Sequence, residues 1–199
     1  MRAKQKASGI PTVSVIYSPE ILNRLLQIEK RGVLMFREMR RNKQILSQEE
    51  CGEILERGTS GVLALAGDGG YPYAVPLSYT YQNGKFYFHC AKSGHKLDSL
   101  RREPKASFCV VDQDTVVPEE YTTYYRSVIA FGTVREMEDG PEKRAAINAL
   151  MVKYFPGDSQ ENRDAYIDRS WAPLCMLEFS VEHLTGKECI EFTRKRKRE

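Results

Sequence analysis

Tight turns between short apolar segments are the feature that most constrains the fold of this chain. Asp68-Gly69-Gly70 separates the apolar segment 61–66 from the segment 71–81, and Asn83-Gly84 precedes the segment 86–91. Glycine and asparagine tolerate the positive φ angles of short hairpin turns, and Asn-Gly is a strong hairpin signal. Strands joined by turns this short run antiparallel, because parallel neighbours need a crossover of a dozen or more residues.

Helical signals lie before, between and after these strands. Ser47 and Glu50 have the spacing of a capping box, which predicts a helix that ends before Gly58. The predicted helices cover residues 47–57, 93–102, 140–154 and 160–168, and the predicted strands cover 61–66, 71–81, 86–91, 106–111, 121–136 and 172–181. This order favours a mainly β (α+β) fold, an antiparallel barrel with flanking helices, over a doubly wound parallel sheet.

Length and charge define one domain with two appendages. The 199 residues suit a folded body at 35–192 and a basic tail at 193–199. Residues 1–34 are interpreted as an N-terminal extension, either flexible or absent from the native protein if translation starts at Met35. Much of the net charge of +3 comes from the tail, so nucleic-acid binding by the body gains no support. Binding of a polyanion through the tail stays as an alternative.

Cysteine usage and hydropathy favour a cytoplasmic protein. The five cysteines include no CxxC pair, so neither a zinc site nor a disulfide framework is supported. Reduced thiols are typical of the cytosol. No apolar run approaches the roughly 20 residues of a membrane-spanning helix, and the N-terminus has no secretory signal.

The junction between the strand 85–91 and the helix after it has the pattern of an anion site. Ser93, Gly94, His95 and Lys96 begin the predicted helix. Cations are normally found near the C-terminal end of a helix, where the dipole favours them. Two cations at the start are a mismatch unless an anion, such as a phosphate, lies beside the free N–H groups. Two solvated side chains next to a turn are the alternative.

His89 and the segment 71–79 are further candidates. Strand alternation places His89 on one face with Tyr87 and Ala91, where it is either a hydrogen-bonded structural residue or a reactive one. Two prolines in the segment 71–79 require an edge strand or a bulge, which leaves backbone groups free for a flat ligand. Discouraging aggregation at a sheet edge explains the prolines equally well.

Two aromatic regions near the C-terminal half stay open between binding and packing. Tyr121 and the segment 124–127 either line a pocket or form a subunit interface, where tyrosine and arginine are enriched. Trp171, the only tryptophan, packs in the core or stacks on an aromatic ligand. The chain has no GxGxxG, GxSxG or HExxH motif, so any enzymatic chemistry would come from a cofactor.

Three blocks of sequence, residues 70–79, 83–91 and 94–100, resemble the pyridoxamine 5′-phosphate oxidase-related flavoproteins. Within that family they are most similar to the nitroimidazole-resistance (Nim) branch. The resemblance spans about residues 35–192 and implies a split β-barrel with FMN, or less readily FAD, at a homodimer interface. The residues that bind pyridoxamine phosphate in the oxidase itself are not recognisable here, which disfavours vitamin B6 oxidation.

The resemblance also implies which residues contact the cofactor. The proline-containing strand would lie along the flavin ring, the strand histidine near it, and the helix start at its phosphate, with the last three residues reaching it from a partner subunit. In this chain they are Tyr73, Ala74, Val75, Pro76, Leu77, Ser78, His89, Cys90, Ala91, Ser93, His95, Lys96, Arg126, Ser127 and Trp171. His89 is the candidate catalytic residue, as proton donor or substrate contact.

The sequence therefore predicts an FMN-dependent oxidoreductase. A reduced nicotinamide would be the donor, and a small molecule, such as a nitroaromatic or 5-nitroimidazole, the acceptor. Two other classes stay open: a flavin-binding or sensing protein without enzymatic activity, and a split barrel that binds haem or a deazaflavin. No metal site, membrane contact or nucleic-acid contact of the body is expected.

Overall fold

The computed structural model describes residues 36–196. The helix bounds are α1 Gln48–Arg57, α2 His95–Arg102, α3 Pro141–Tyr154, α4 Gln160–Ser170 and α5 Ile190–Arg196. The strand bounds are β1 Ser60–Ala66, β2 Pro72–Ser78, β3 Thr80–Gln82, β4 Lys85–Ala91, β5 Lys105–Val117, β6 Thr122–Glu136 and β7 Leu174–Glu188. Within these residues, no helix combines the length and the hydropathy that a membrane span needs.

The strands form one antiparallel sheet in the order β2-β1-β5-β6-β7-β4-β3. Its two edge strands, β2 and β3, are separated in the chain only by Tyr79. Ser78 and Thr80 can be no more than about 7 Å apart, because consecutive Cα atoms are about 3.8 Å apart. The sheet therefore curls until its edges meet at Tyr79, which we call the seam.

An aromatic core fills the curled sheet. Phe108 on β5 and Phe86 on β4 are three places apart in the strand order, yet their ring centroids are 5.0 Å apart. Three strand spacings in a flat sheet would separate them by about 14 Å. Phe88, Phe179 and Tyr79 are also fully buried in this cluster. These contacts across the interior confirm the predicted barrel.

Local sequence signals explain most of the elements. Ser47 and Glu50 form the predicted capping box at the start of α1. Asn83 and Gly84 both have positive φ, as the short turn between β3 and β4 requires. The proline-containing β2 is an edge strand paired only with β1, as its prolines require.

Four segments differ from the sequence prediction. The predicted strand 71–81 breaks at Tyr79 into β2 and β3, because the chain passes there from one edge of the sheet to the other. β5 and β7 extend well beyond residues 111 and 181, since they form long ladders with β6. Ile190–Arg196 is helical, so the segment 193–199 set apart as a basic tail begins inside α5.

α5 is tied to the body through a buried carboxylate. Glu188 is fully buried at the end of β7 and pairs with Arg196 and Arg126. The Thr193 hydroxyl also donates to Glu188 at 3.1 Å, and Arg196 pairs with Glu50 on α1. A buried charge needs such partners to offset its loss of hydration, which explains why Thr193 and Arg196 belong to the folded body.

Candidate functional site

The strands β2 and β4 carry nine of the fifteen predicted cofactor-binding residues. Along β2, Tyr73, Val75 and Leu77 pack towards the core, while Ala74, Pro76 and Ser78 are exposed. Along β4, His89 and Ala91 are exposed, and Phe88 is buried. The alternation predicted for His89 is therefore confirmed. A ligand outside the barrel can therefore contact the exposed side chains of each strand. These are Ala74, Pro76 and Ser78 on β2, and His89 and Ala91 on β4.

Cys90 points away from that outer face. It packs against the core and lies directly opposite Cys175 on β7. Burial raises the pKa of the Cys90 thiol to about 12. The thiol is thus protonated at neutral pH and a poor nucleophile. Contact between this residue and a ligand on the outer face would involve its backbone.

The start of α2 has the features of an anion site that the sequence indicates. Gly94 is the N-cap, with φ 124°, and no side chain caps the first N–H groups of the helix. A Cβ at Gly94 would meet no atom within 4 Å, so the space beside this residue is open. Ser93 is exposed, and Lys96 makes no ion pair with any of residues 36–196. Uncapped N–H groups beside a lysine suit a phosphate.

His95 is held by two neighbours that the sequence analysis does not predict. Its ring stacks on Tyr73 of β2, with centroids 4.1 Å apart and an angle of 19° between the planes. Its Nε2 lies 3.2 Å from a carboxylate oxygen of Asp68, whose other oxygen lies 2.8 Å from Arg102. The mismatch predicted at this helix start is therefore partly relieved by a carboxylate of the chain itself.

Two of the three residues predicted to reach the cofactor from a partner subunit, Arg126 and Trp171, already have partners within the chain. Arg126 pairs with Glu188 at 3.3 Å and lies 5.0 Å from the ring of Phe192. Trp171 is half-buried and stacks against the ammonium group of Lys143 at 4.4 Å. Ser127 lies next to Arg126 on β6 and is half-buried. The core-packing alternative for Trp171 is the one that the structure favours.

A cavity of about 800 Å³ opens beside Ser78 and His89. Its floor is the outer face of β2 and β4 next to the seam, and its walls are α3 and α4. Tyr154 of α3 joins the cavity to the seam, since its hydroxyl accepts a hydrogen bond from the Tyr79 N–H at 3.0 Å and lies beside the Thr59 carbonyl. The sequence predicts α3, α4, Ser78 and His89 separately, but it does not show that they enclose one cavity.

The sequence did not reveal three parts of this region, namely Asp68, Arg102 and the helical walls of the cavity. A signal for Asp68 was available, because it belongs to the hairpin turn that leads into β2. No comparable signal marked the cavity, since apolar and polar residues are mixed around both α3 and α4. A gap between elements depends on their tertiary packing, which the periodicity of each helix does not show.

The comparisons with known proteins agree with this geometry. The model of the family described as Pyridoxamine 5′-phosphate oxidase matches residues 47–188, which is most of the chain. The chain therefore belongs to the pyridoxamine 5′-phosphate oxidase family, whose members share the split-barrel fold seen here. Among curated proteins, none matches this chain.

Several solved structures share the fold. A proposed 5-nitroimidazole antibiotic resistance protein from Bacteroides thetaiotaomicron is 22% identical with a TM-score of 0.64, over 72% of this chain and 86% of the other. A FAD-binding protein from Mesorhizobium loti is 25% identical with a TM-score of 0.54, over 73% and 95%. A FAD and haem binding protein from Mycobacterium smegmatis is 24% identical with a TM-score of 0.61, over 73% of each chain.

Proposed function

We propose that this protein is an FMN-dependent oxidoreductase that reduces a small acceptor, with a reduced nicotinamide as donor. The observation that carries the proposal is the continuity of one surface. Ser78 and His89 face the cavity, and β4 leads from His89 directly to the uncapped, cationic start of α2. A ligand with a flat ring at one end and a phosphate at the other matches that arrangement.

The residues present fit a flavin mononucleotide. Ser93 and Lys96, with the N–H groups after Gly94, would hold the phosphate, and the exposed face of Ala74, Pro76 and Ser78 would lie along the ring. One cationic helix start suits the single phosphate of FMN better than the diphosphate of FAD. When bound, the flavin would supply hydride transfer. Membership of the family and the FAD-binding relative from Mesorhizobium loti support a flavin in this place.

His89 is the residue best placed to serve the acceptor. It is exposed on the outer face of β4 and lines the cavity, and histidine is the side chain that most often acts in general acid–base catalysis. Its role would be to donate a proton to a reduced acceptor or to hydrogen-bond it. A 5-nitroimidazole or another nitroaromatic acceptor accords with the Bacteroides relative at the level of the fold.

We further propose that the protein is a homodimer. Val62, Ile129 and Val111 leave 39%, 37% and 61% of their surface exposed on the outer face of β1, β6 and β5. Register pairs Val62 with Pro76 on one side and with Cys109 on the other, and Cys109 with Ile129, so these residues form a row across the sheet. An apolar row of this kind is a typical interaction surface.

The visible spectrum of the purified protein tests the cofactor and the activity together. We expect the absorption bands of a flavin, release of FMN on denaturation, and bleaching when NADPH or NADH is added without oxygen. A flavin that neither nicotinamide reduces would favour the sensing protein over the enzyme. A Soret band in place of the flavin bands would replace the proposal with haem binding.

A further inference from the structure

The cavity is walled by one face of each of two helices. Ile147, Leu150, Met151 and Tyr154 line it from α3, and Asn162, Ala165, Tyr166 and Arg169 line it from α4. Both sets have the spacing i, i+3, i+4, i+7, which places four side chains on a single helical face. Faces with this spacing normally pack against a neighbouring element, yet here the two faces enclose space above β2 and β4.

The lining combines aromatic and apolar surface with few polar groups. Phe155 and Tyr166 lie at the cavity with 65% and 54% of their surface exposed, so water meets two aromatic side chains there. Asn162 and Arg169 add hydrogen-bond donors from α4, and His89 adds one from β4. Pockets for small molecules have this mixture, and their volumes are roughly 300–1,000 Å³.

We infer that the α3–α4 hairpin forms the acceptor pocket and selects planar, mostly apolar ring compounds that bear a hydrogen-bond acceptor, such as quinones. The aromatic side chains bind the ring, and Asn162, Arg169 and His89 offer donors to an oxygen on it. Binding by the pocket stands on the geometry of the hairpin, whereas its role as the acceptor site rests on the proposed function.

The experiment uses Trp171 as the reporter. It is the only tryptophan, and it packs with the cluster that includes Leu150 and Leu174, both of which line the cavity. Titration of the protein as purified with 2-methyl-1,4-naphthoquinone should give saturable quenching of its fluorescence. A quinone in the cavity would contact Leu150 and Leu174 of the cluster against which this indole packs, whereas collisional quenching from solution does not saturate.

Replacement of two different alanines by phenylalanine gives a matched pair of variants. Ala165 lines the cavity from α4, while Ala145 is exposed on the opposite side of α3 and does not line it. Ala165→Phe fills the space and should raise the dissociation constant for the quinone by about tenfold, whereas Ala145→Phe should leave it within about twofold. Tyr166→Ala, which removes an exposed ring without filling the cavity, should also weaken binding.

The outcomes separate this inference from the proposed function. Absence of saturable quenching, or equal affinity in the Ala165→Phe and Ala145→Phe variants, would overturn the assignment of the pocket, even for a yellow, NADPH-reducible protein. Conversely, the protein could contain no flavin, bind the quinone, and bind it more weakly as the Ala165→Phe variant. That outcome would support the assignment of the pocket and refute the proposal of a flavin cofactor. If Ala165→Phe does not fold, unchanged quinone affinity in Tyr166→Ala overturns the inference.

Discussion

At the scale of single residues, strand alternation predicted which side chains of β4 face outwards. The exposure of His89 and the burial of Cys90 follow from the period of two along β4. Asp68 could not be placed in the same way. Its contact with His95 and Arg102 depends on how the turn before β2 meets α2, and this is set by the curl of the sheet.

Replacement of His89 tests its role in proton transfer. We expect His89→Ala to retain flavin and to slow acceptor reduction by about 10²-fold or more, since general acid catalysis contributes about 10²–10⁴-fold. His89→Gln can donate a hydrogen bond but cannot titrate, so it should be equally slow. Steady-state turnover and the flavin-to-protein absorbance ratio are the measurements, and unchanged turnover in His89→Ala would refute the assignment.

Asp68 should compete with the phosphate for His95, with which it forms an ion pair. Its side chain is 68% exposed, and exposed ion pairs are worth about 0.2–1 kcal/mol. Asp68→Asn should therefore tighten FMN binding by up to about fivefold, whereas Lys96→Ala should weaken it.

Riboflavin, which lacks the phosphate, is the control ligand for both variants. Its dissociation constant, measured by quenching of flavin fluorescence, should not change in either variant. Weaker FMN binding by Asp68→Asn would show that Asp68 holds the cations in place for the ligand and does not compete with it.

At the scale of elements, local signals predicted where helices begin and where hairpins turn, but not how far strands extend. The capping box of Ser47 and the turn at Asn83 act through adjacent residues and are visible in the sequence. The ends of β5 and β7 depend on pairing with β6, which is distant along the chain. The basic composition of α5 suggested a solvated tail. Its packing on the body was not predicted, because it depends on the buried Glu188 that pairs with Arg196.

The docking of α5 predicts different effects for neighbouring arginines. Arg196→Ala removes one of the partners of buried Glu188, and hydrogen bonds to charged groups are worth about 1.5–3 kcal/mol. The free energy of unfolding should fall by that amount, with Arg126 still paired to Glu188. Arg194 is exposed, so Arg194→Ala is the matched control and should stay within about 0.5 kcal/mol. Equal losses of unfolding free energy in the two variants, measured by urea titration, would show that Arg196 does not hold α5 to the body.

At the scale of the whole molecule, the uncovered outer face of β1, β5 and β6 predicts self-association. Val62→Lys places a charge on this face and should convert a dimer, at twice the chain mass of 22.8 kDa, into a monomer. Val152→Lys is the control, since Val152 has a similar exposed fraction, 42%, on α3. Light scattering gives the mass, and circular dichroism confirms folding. A wild-type monomer, or a dimer in both variants, would contradict the prediction.

The seam at Tyr79 has a thermodynamic consequence. Ser78 lies on one edge of the sheet and His89 lies beside the other, so any ligand in contact with both bridges the two edges. Opening of the barrel at Tyr79 and release of that ligand are then linked equilibria. Saturating ligand should slow hydrogen exchange of the Tyr79 amide, which Tyr154 already holds. Amides of α5, far along the chain from the seam, should keep their exchange rates.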